Sequence, residues 1–181
     1  MEIQDFPKFN PYERLIKLIT TGHLLSHDEI FEALCWAGNK HRWNVFLEAV
    51  DSIEPDAMPD AFKFAYGSGD ATKRTALKVI RKYGLNLITT DQERKLFESL
   101  PDEMTVYRGC FVSEAERKQG FNLSWTLNID TARFFAHRFN QAGRGVFAAR
   151  VNKSRILGIL LDREEDEVLI DIKGSEANLI D

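Results

Sequence analysis

The chain has 181 residues, of which 44% are hydrophobic and 29% are charged, and its formal net charge is −4. This length and composition are typical of one folded domain and argue against intrinsic disorder and fibrous repeats. Because no block of basic residues is present, we expect no binding to nucleic acid.

The first residues lack the basic and apolar regions of a secretory signal, and no segment reaches the ~20 consecutive apolar residues needed to span a bilayer. We therefore expect a cytoplasmic protein with no membrane partner. The two cysteines, Cys35 and Cys110, lie outside any Cys/His spacing typical of zinc sites. The sequence thus predicts reduced thiols and no metal.

Residues 1–100 are predicted to form a helical N-terminal part, because apolar side chains recur there at helical spacing. Aromatic residues in this part, including Trp36 and Trp43, are predicted to pack between helices rather than to form a ligand cage. The predicted helix boundaries are Gly22 after the first helix, the capping boxes Ser26–Glu29 and Thr90–Glu93, and Asp70 and Gly84 at the two ends of one helix.

Residues 101–181 are predicted to form a β-rich core that is continuous with the helical part in one domain. One helix, opened by Asn128 or Asp130, interrupts the strands. Helices followed by strands predict an α+β fold and exclude a doubly wound parallel sheet. The predicted extended segments are Met104–Tyr107, Phe121–Trp125, Val146–Val151, Ile156–Leu161 and Val168–Ile172.

Three polar clusters on these strands carry residues of catalytic type. Arg108 offers a bidentate fork for phosphate or carboxylate, and Ser124 offers a hydroxyl that can orient a carboxylate. Residues two apart in a strand point to one face, which predicts that Glu165 and Glu167 form a carboxylate pair at the mouth of a strand. Together these groups suit cleavage of a glycosidic bond in a phosphate-bearing substrate.

The acidic run allows two registers of that strand. Either Glu165 and Glu167 or Glu164 and Asp166 share the face of the site. The apolar residues that follow Glu167 favour the first register.

The three clusters, in this order along the chain, resemble the ADP-ribosyltransferase superfamily. The Arg of VYRG, the Ser of a Ser-x-Thr strand and the closing Glu-x-Glu strand are similar to the subgroup named for Arg, Ser and Glu. The resemblance covers residues 101–172 and implies a helical part packed on a mixed, mainly antiparallel β core of the ADP-ribosyltransferase type. Trp125 stands at an unusual position in this pattern, and we expect it to face the opposite side of the sheet.

The resemblance implies NAD as co-substrate and assigns roles to six residues. Glu167 is expected to be the main catalytic group, with Ser124 orienting its carboxylate and Glu165 receiving an arginine acceptor. Arg108, Gly109, Ser124 and Glu167 are expected to contact NAD. Phe135, or alternatively Phe134, is expected to line the nicotinamide pocket.

The implied activity is mono-ADP-ribosylation of a partner protein, with arginine as the expected acceptor residue. Two alternatives stay open, an NAD glycohydrolase that uses the same site and a catalytically silent interaction module. An enzyme of this kind suits a phage effector or an intracellular toxin, acting in a bacterial or phage-infected cell.

Overall fold

The computed structural model describes residues 10–117, 120–161 and 165–181, and these residues form an α+β fold. Within these described residues, six α-helices precede the first strand, and a seventh lies between the second and third strands. The predicted α+β class is therefore confirmed. The chain divides into two compact units, residues 1–76 and 77–181.

The first unit is helical. Its elements are α1 (Pro11–Thr20), α2 (His27–Ala49), α3 (Met58–Ser68) and the start of α4 (Lys73–Tyr83), which crosses the boundary between the units. In the described part of the chain, no helix is both long enough and apolar enough to span a membrane.

Local side chains set the ends of these helices. The Asn10 side chain accepts hydrogen bonds from two backbone N–H groups of α1, and the Glu29 carboxylate accepts from the backbone and hydroxyl of Ser26. The predicted cap at Asp70 is wrong, because the Thr72 hydroxyl accepts from the Thr75 N–H at the start of α4. A cap side chain accepts from an N–H group two or three residues further along, and the capped N–H of Thr75 lies five residues after Asp70.

The core of this unit contains the aromatic rings of Trp43, Phe46 and Phe62, in contact at centroid distances of 5.1–6.0 Å. The prediction of a core position is wrong for Trp36, which is 53% exposed. Helix α2 is interrupted at Gly38, where φ is 64° and ψ is 173°. This interruption resets the helical phase, so the apolar spacing on one side does not predict burial on the other.

The second unit contains the remaining helices and the sheet. The helices are α5 (Leu85–Ile88), α6 (Asp91–Ser99) and α7 (Ile129–His137), and the strands are β1 (Glu103–Phe111), β2 (Ser124–Thr126), β3 (Arg144–Asn152), β4 (Ile156–Leu160), β5 (Glu167–Ile170) and β6 (Asn178–Leu179). The predicted box at Thr90 and Glu93 is confirmed. The buried Glu93 carboxylate also accepts from the Leu161 N–H, which joins α6 to the end of β4.

The six strands found in the described part of the chain are antiparallel to their neighbours, in the order β4-β5-β2-β1-β3-β6. Each predicted extended segment overlaps one of the first five strands, although most of the predicted bounds differ from the observed ones. The two-residue strand β6 was not predicted, because two residues show no alternation of apolar and polar side chains.

Both faces of the sheet carry buried side chains. One face carries a cluster that includes Val106, Trp125, Phe147 and Val168, with Phe121 packed on Trp125 and Phe147. The expected inward position of Trp125 is confirmed. Helix α7, capped by Asn128 as predicted, packs through Ala132 and Ala136 on the other face.

Gly109 permits the close approach of α7 to β1. A Cβ atom built on this residue would lie 1.9 Å from the Ala132 carbonyl oxygen and 2.6 Å from the Ala136 nitrogen. Both neighbours are backbone atoms of a packed helix, so they cannot move independently. A glycine is therefore required here for packing alone.

We expect Gly109→Ala to lower the free energy of unfolding by about 3 kcal/mol, since the helix must shift to admit the methyl group. Gly158→Ala in β4 is the matched control, because its Cβ would meet only flexible side-chain atoms at 3.3 Å or more. The control should change stability by less than about 1 kcal/mol. Urea denaturation measures both, and equal stability of the two variants would contradict the close-approach explanation.

Candidate functional site

Three predicted site residues lie on three contiguous strands. Arg108 is on β1, Ser124 is the first residue of β2 and Glu167 is the first residue of β5, and β2 lies between the other two strands. Arg108 and Glu167 are 59 positions apart along the chain, yet both lie in the same part of the sheet.

The strand register divides these residues between the two faces. Tyr107 is paired with Thr126, and Thr126 is paired with Glu167, so these three side chains share a face. Ser124 precedes Thr126 by two positions and lies on that same face. Arg108 follows Tyr107 directly, and its side chain starts from the opposite face.

The Arg108 guanidinium nevertheless reaches the strand that carries the serine. Its Nη1 donates to the backbone carbonyl of Ser124 at 2.5 Å, and its Nε and Nη2 donate to the Glu114 carboxylate at 3.3 and 3.0 Å. Glu114 ends a short 3₁₀ turn that follows β1 directly. The guanidinium therefore connects β1, β2 and this turn.

This ion pair is largely shielded from water, with 15% of the Arg108 side chain and 14% of the Glu114 side chain exposed. Each of the three guanidinium nitrogens already has an acceptor. The sequence alone predicted a fork that is available to phosphate. A phosphate that binds the Nε and Nη2 donors would have to displace Glu114.

Glu165 differs from its predicted position. Strand β5 begins at Glu167, and Asp166 between the two glutamates has a left-handed φ of 46°. The expectation that both carboxylates lie on one face of one strand is wrong, because alternation of side chains holds only within extended backbone. Glu165 lies half-buried in the bend before the strand. Glu164 of the alternative register lies outside the described residues.

Thr126 is a structural residue of the site that sequence reasoning did not single out. Its buried hydroxyl donates to the Glu165 carbonyl at 2.7 Å and accepts from the Asn128 N–H at 3.0 Å. The neighbouring Leu127 N–H donates to the Asp166 carbonyl at 3.1 Å. The end of β2 therefore holds the bend of Glu165 and Asp166, which directly precedes Glu167. The available sequence signal was the last residue of Ser-Trp-Thr.

Helix α7 supplies the aromatic residues of the prediction. Phe135 is half-buried and contacts the exposed ring of Phe134 edge-to-face at 5.6 Å. The Arg138 guanidinium lies 4.6 Å from the Phe135 ring centroid. Gly109, predicted to contact NAD, lies beneath the same helix, and the backbone of Ala132 fills the space where a side chain of this residue would lie.

Cys110 lies next to the ion pair but is not a candidate nucleophile. Burial, followed by the nearby Glu114 charge, raises the pKa of its thiol to about 11, although Arg108 acts in the opposite direction. A thiol with this pKa is almost fully protonated near neutral pH. Both cysteines are free thiols, as predicted, and Cys35 is exposed.

Within residues 10–117, 120–161 and 165–181, no cluster of three or more His, Cys, Asp or Glu side chains has an arrangement suited to a metal ion. Comparisons with protein-family models, with curated proteins and with solved structures find no match for this chain.

The two cysteines should differ sharply in alkylation. At pH 8, iodoacetamide should modify Cys35 in the native protein and leave Cys110 unmodified, and mass spectrometry should show a second adduct only after denaturation. Rapid native labelling of Cys110 would contradict its burial.

The unfolded Cys110 thiol loses its proton around its ordinary pKa of 9.0, whereas the native thiol keeps its proton to about pH 11. The free energy of unfolding should therefore fall as the pH rises from about 9 to about 11.

Proposed function

We propose that the protein is an NAD-dependent mono-ADP-ribosyltransferase, with a core of the ADP-ribosyltransferase type, that modifies arginine side chains of a partner protein. The observation that carries the proposal is the strand order β5-β2-β1, which places side by side the three strands that carry Glu167, Ser124 and Arg108. These are the three residues that the sequence resemblance names, in the same order along the chain.

Glu167 is the proposed catalytic carboxylate. It is half-buried at the first position of β5, on the same face as Ser124. When the bond between ribose and nicotinamide breaks, its electron pair goes to the nicotinamide nitrogen and leaves an oxocarbenium-like sugar. A fixed carboxylate stabilises this cation and accepts a hydrogen bond from the ribose 2′-hydroxyl.

Glu165 is proposed to serve the acceptor. A guanidinium ion is protonated at all physiological pH values, so it must lose a proton before its nitrogen attacks the sugar. In the proposed step a guanidine nitrogen bonds to the ribose carbon and its proton passes to the Glu165 carboxylate. The different backbone positions of the two glutamates, one in the bend and one in the strand, suit this division of roles.

Arg108 is proposed to act first by positioning. Its bond to the Ser124 carbonyl keeps β2 beside β1, and so helps to hold Ser124 near the strand that carries Glu167. A direct contact with the NAD pyrophosphate is proposed to form when the anion displaces Glu114 from the fork, since both ligands need the same donors. Phe135, on α7, is proposed to contact the nicotinamide ring.

The two glutamates should separate kinetically. Glu167→Gln should lower both nicotinamide release and protein labelling at least 100-fold, because stabilisation of the cation is lost. Glu165→Gln should lose labelling but keep much of the slow NAD hydrolysis, because water needs no deprotonation of a guanidinium. Incubation with labelled NAD and a cell lysate, followed by mass spectrometry, measures transfer and identifies the acceptor residue.

Glu103→Gln is the control for these variants, because Glu103 is an exposed strand residue paired with Arg150 at the surface. It should behave as the wild type. Hydrolysis without any protein labelling would replace the transferase with an NAD glycohydrolase. Absence of nicotinamide release under all conditions would contradict the proposal as a whole.

Removal of the competing carboxylate should strengthen NAD binding. We expect Glu114→Gln to raise NAD affinity several-fold in calorimetry, and Arg108→Ala to lower it, in each case equally with and without EDTA. Glu176→Gln breaks a comparable pair with Arg155 and should leave NAD affinity unchanged. If Glu114→Gln has no effect on affinity, Arg108 acts by positioning alone.

A further inference from the structure

A second candidate site lies in the first unit, where α1 meets α2. A cavity of about 350 Å³ opens there and is lined by side chains that include Tyr12, Trp36, His41, Asn44 and Glu48. This volume lies at the small end of the range for ligand pockets, which suits a single side chain or a small molecule. None of these residues has a role in the proposed transferase chemistry.

Two aromatic rings form one wall of the cavity. Tyr12 and Trp36 are nearly parallel, with an interplanar angle of 10° and a centroid distance of 6.4 Å. Trp36 is one of the most exposed large apolar side chains among the described residues. Its indole contributes little to the core, so its exposed face is available for stacking on a ligand.

A carboxylate lies beside these rings. Glu48 Oε2 accepts a hydrogen bond from the Tyr12 hydroxyl at 2.5 Å, and this bond, more than burial, raises the pKa of the tyrosine. The phenol therefore stays a neutral donor. Among the described residues, no lysine, arginine or histidine forms an ion pair with Glu48.

We propose that this cavity binds the guanidinium group of an arginine side chain from a partner protein. The carboxylate favours a cation, and the aromatic faces favour a cation that is planar and weakly hydrated. An ammonium group offers charge without a planar face, and an anion would be repelled by Glu48. Glu48 would receive two parallel N–H donors while the guanidinium plane stacks on Trp36.

The site is independent of the NAD chemistry. It requires no bond to form or break, and its residues all precede the strands that carry Arg108, Ser124 and Glu167. Its role is to hold a partner protein through one exposed arginine. Failure of this inference would therefore leave the proposed function untouched, and the reverse is also true.

The test is an NMR titration of the full-length protein with the blocked tripeptide acetyl-Gly-Arg-Gly-amide. The side-chain amide signal of Asn44 and the indole signal of Trp36 should shift in a saturable manner. Replacement of arginine by citrulline, which keeps the shape but removes the charge, should weaken binding at least tenfold. The lysine peptide should also bind at least tenfold more weakly.

Three variants complete the test. Glu48→Gln and Trp36→Ala should each weaken binding of the arginine peptide at least tenfold, with Asn44 as the reporter. Glu32→Gln should leave binding unchanged, because this carboxylate also lies on α2 but is paired with Arg14 outside the cavity. Equal binding of the citrulline or lysine peptide, or full binding by Glu48→Gln, would overturn the proposal.

Discussion

The hydrogen bonds of one guanidinium hold the candidate site together. Arg108 joins β1 to the backbone of Ser124 and to the carboxylate of Glu114 in the following turn. β2 is only three residues long, so it has few ladder hydrogen bonds of its own. Removal of Arg108 would also leave Glu114 largely buried without its cation, which typically costs about 3–5 kcal/mol. The position of β2 thus depends on Arg108, whose side chain starts from the face of the sheet opposite to Ser124.

Local signals predicted much of the fold. The capping boxes at Ser26 and Thr90 and the cap at Asn128 each depend on side chains within three residues of the N–H groups they satisfy. Such interactions need no knowledge of the tertiary structure. The first five strands were predicted for a similar reason, because a row of β-branched and aromatic residues reports a pleated, buried surface.

The differences between prediction and structure arise from contacts between distant residues. The bend at Asp166 depends on hydrogen bonds from Thr126 and Leu127, about 40 positions away, so the alternation of the acidic run could not reveal it. Occupation of the Arg108 fork depends on a turn that folds back from the end of β1. The sequence therefore predicts candidate site residues, but it does not predict which face each side chain starts from or which partners it already has.

The interruption of α2 at Gly38 restricts which residues can occupy that position, although no packing contact causes the restriction. At Gly38 a Cβ atom would meet nothing within 4 Å, so a methyl group there would cause no clash. The backbone angles there, however, belong to a region that only glycine visits freely. A Cβ atom at position 38 would therefore cause no clash, but the backbone conformation disfavours every residue other than glycine. The residue that this position accepts is therefore set by the backbone dihedral angles and not by contacts with neighbouring atoms.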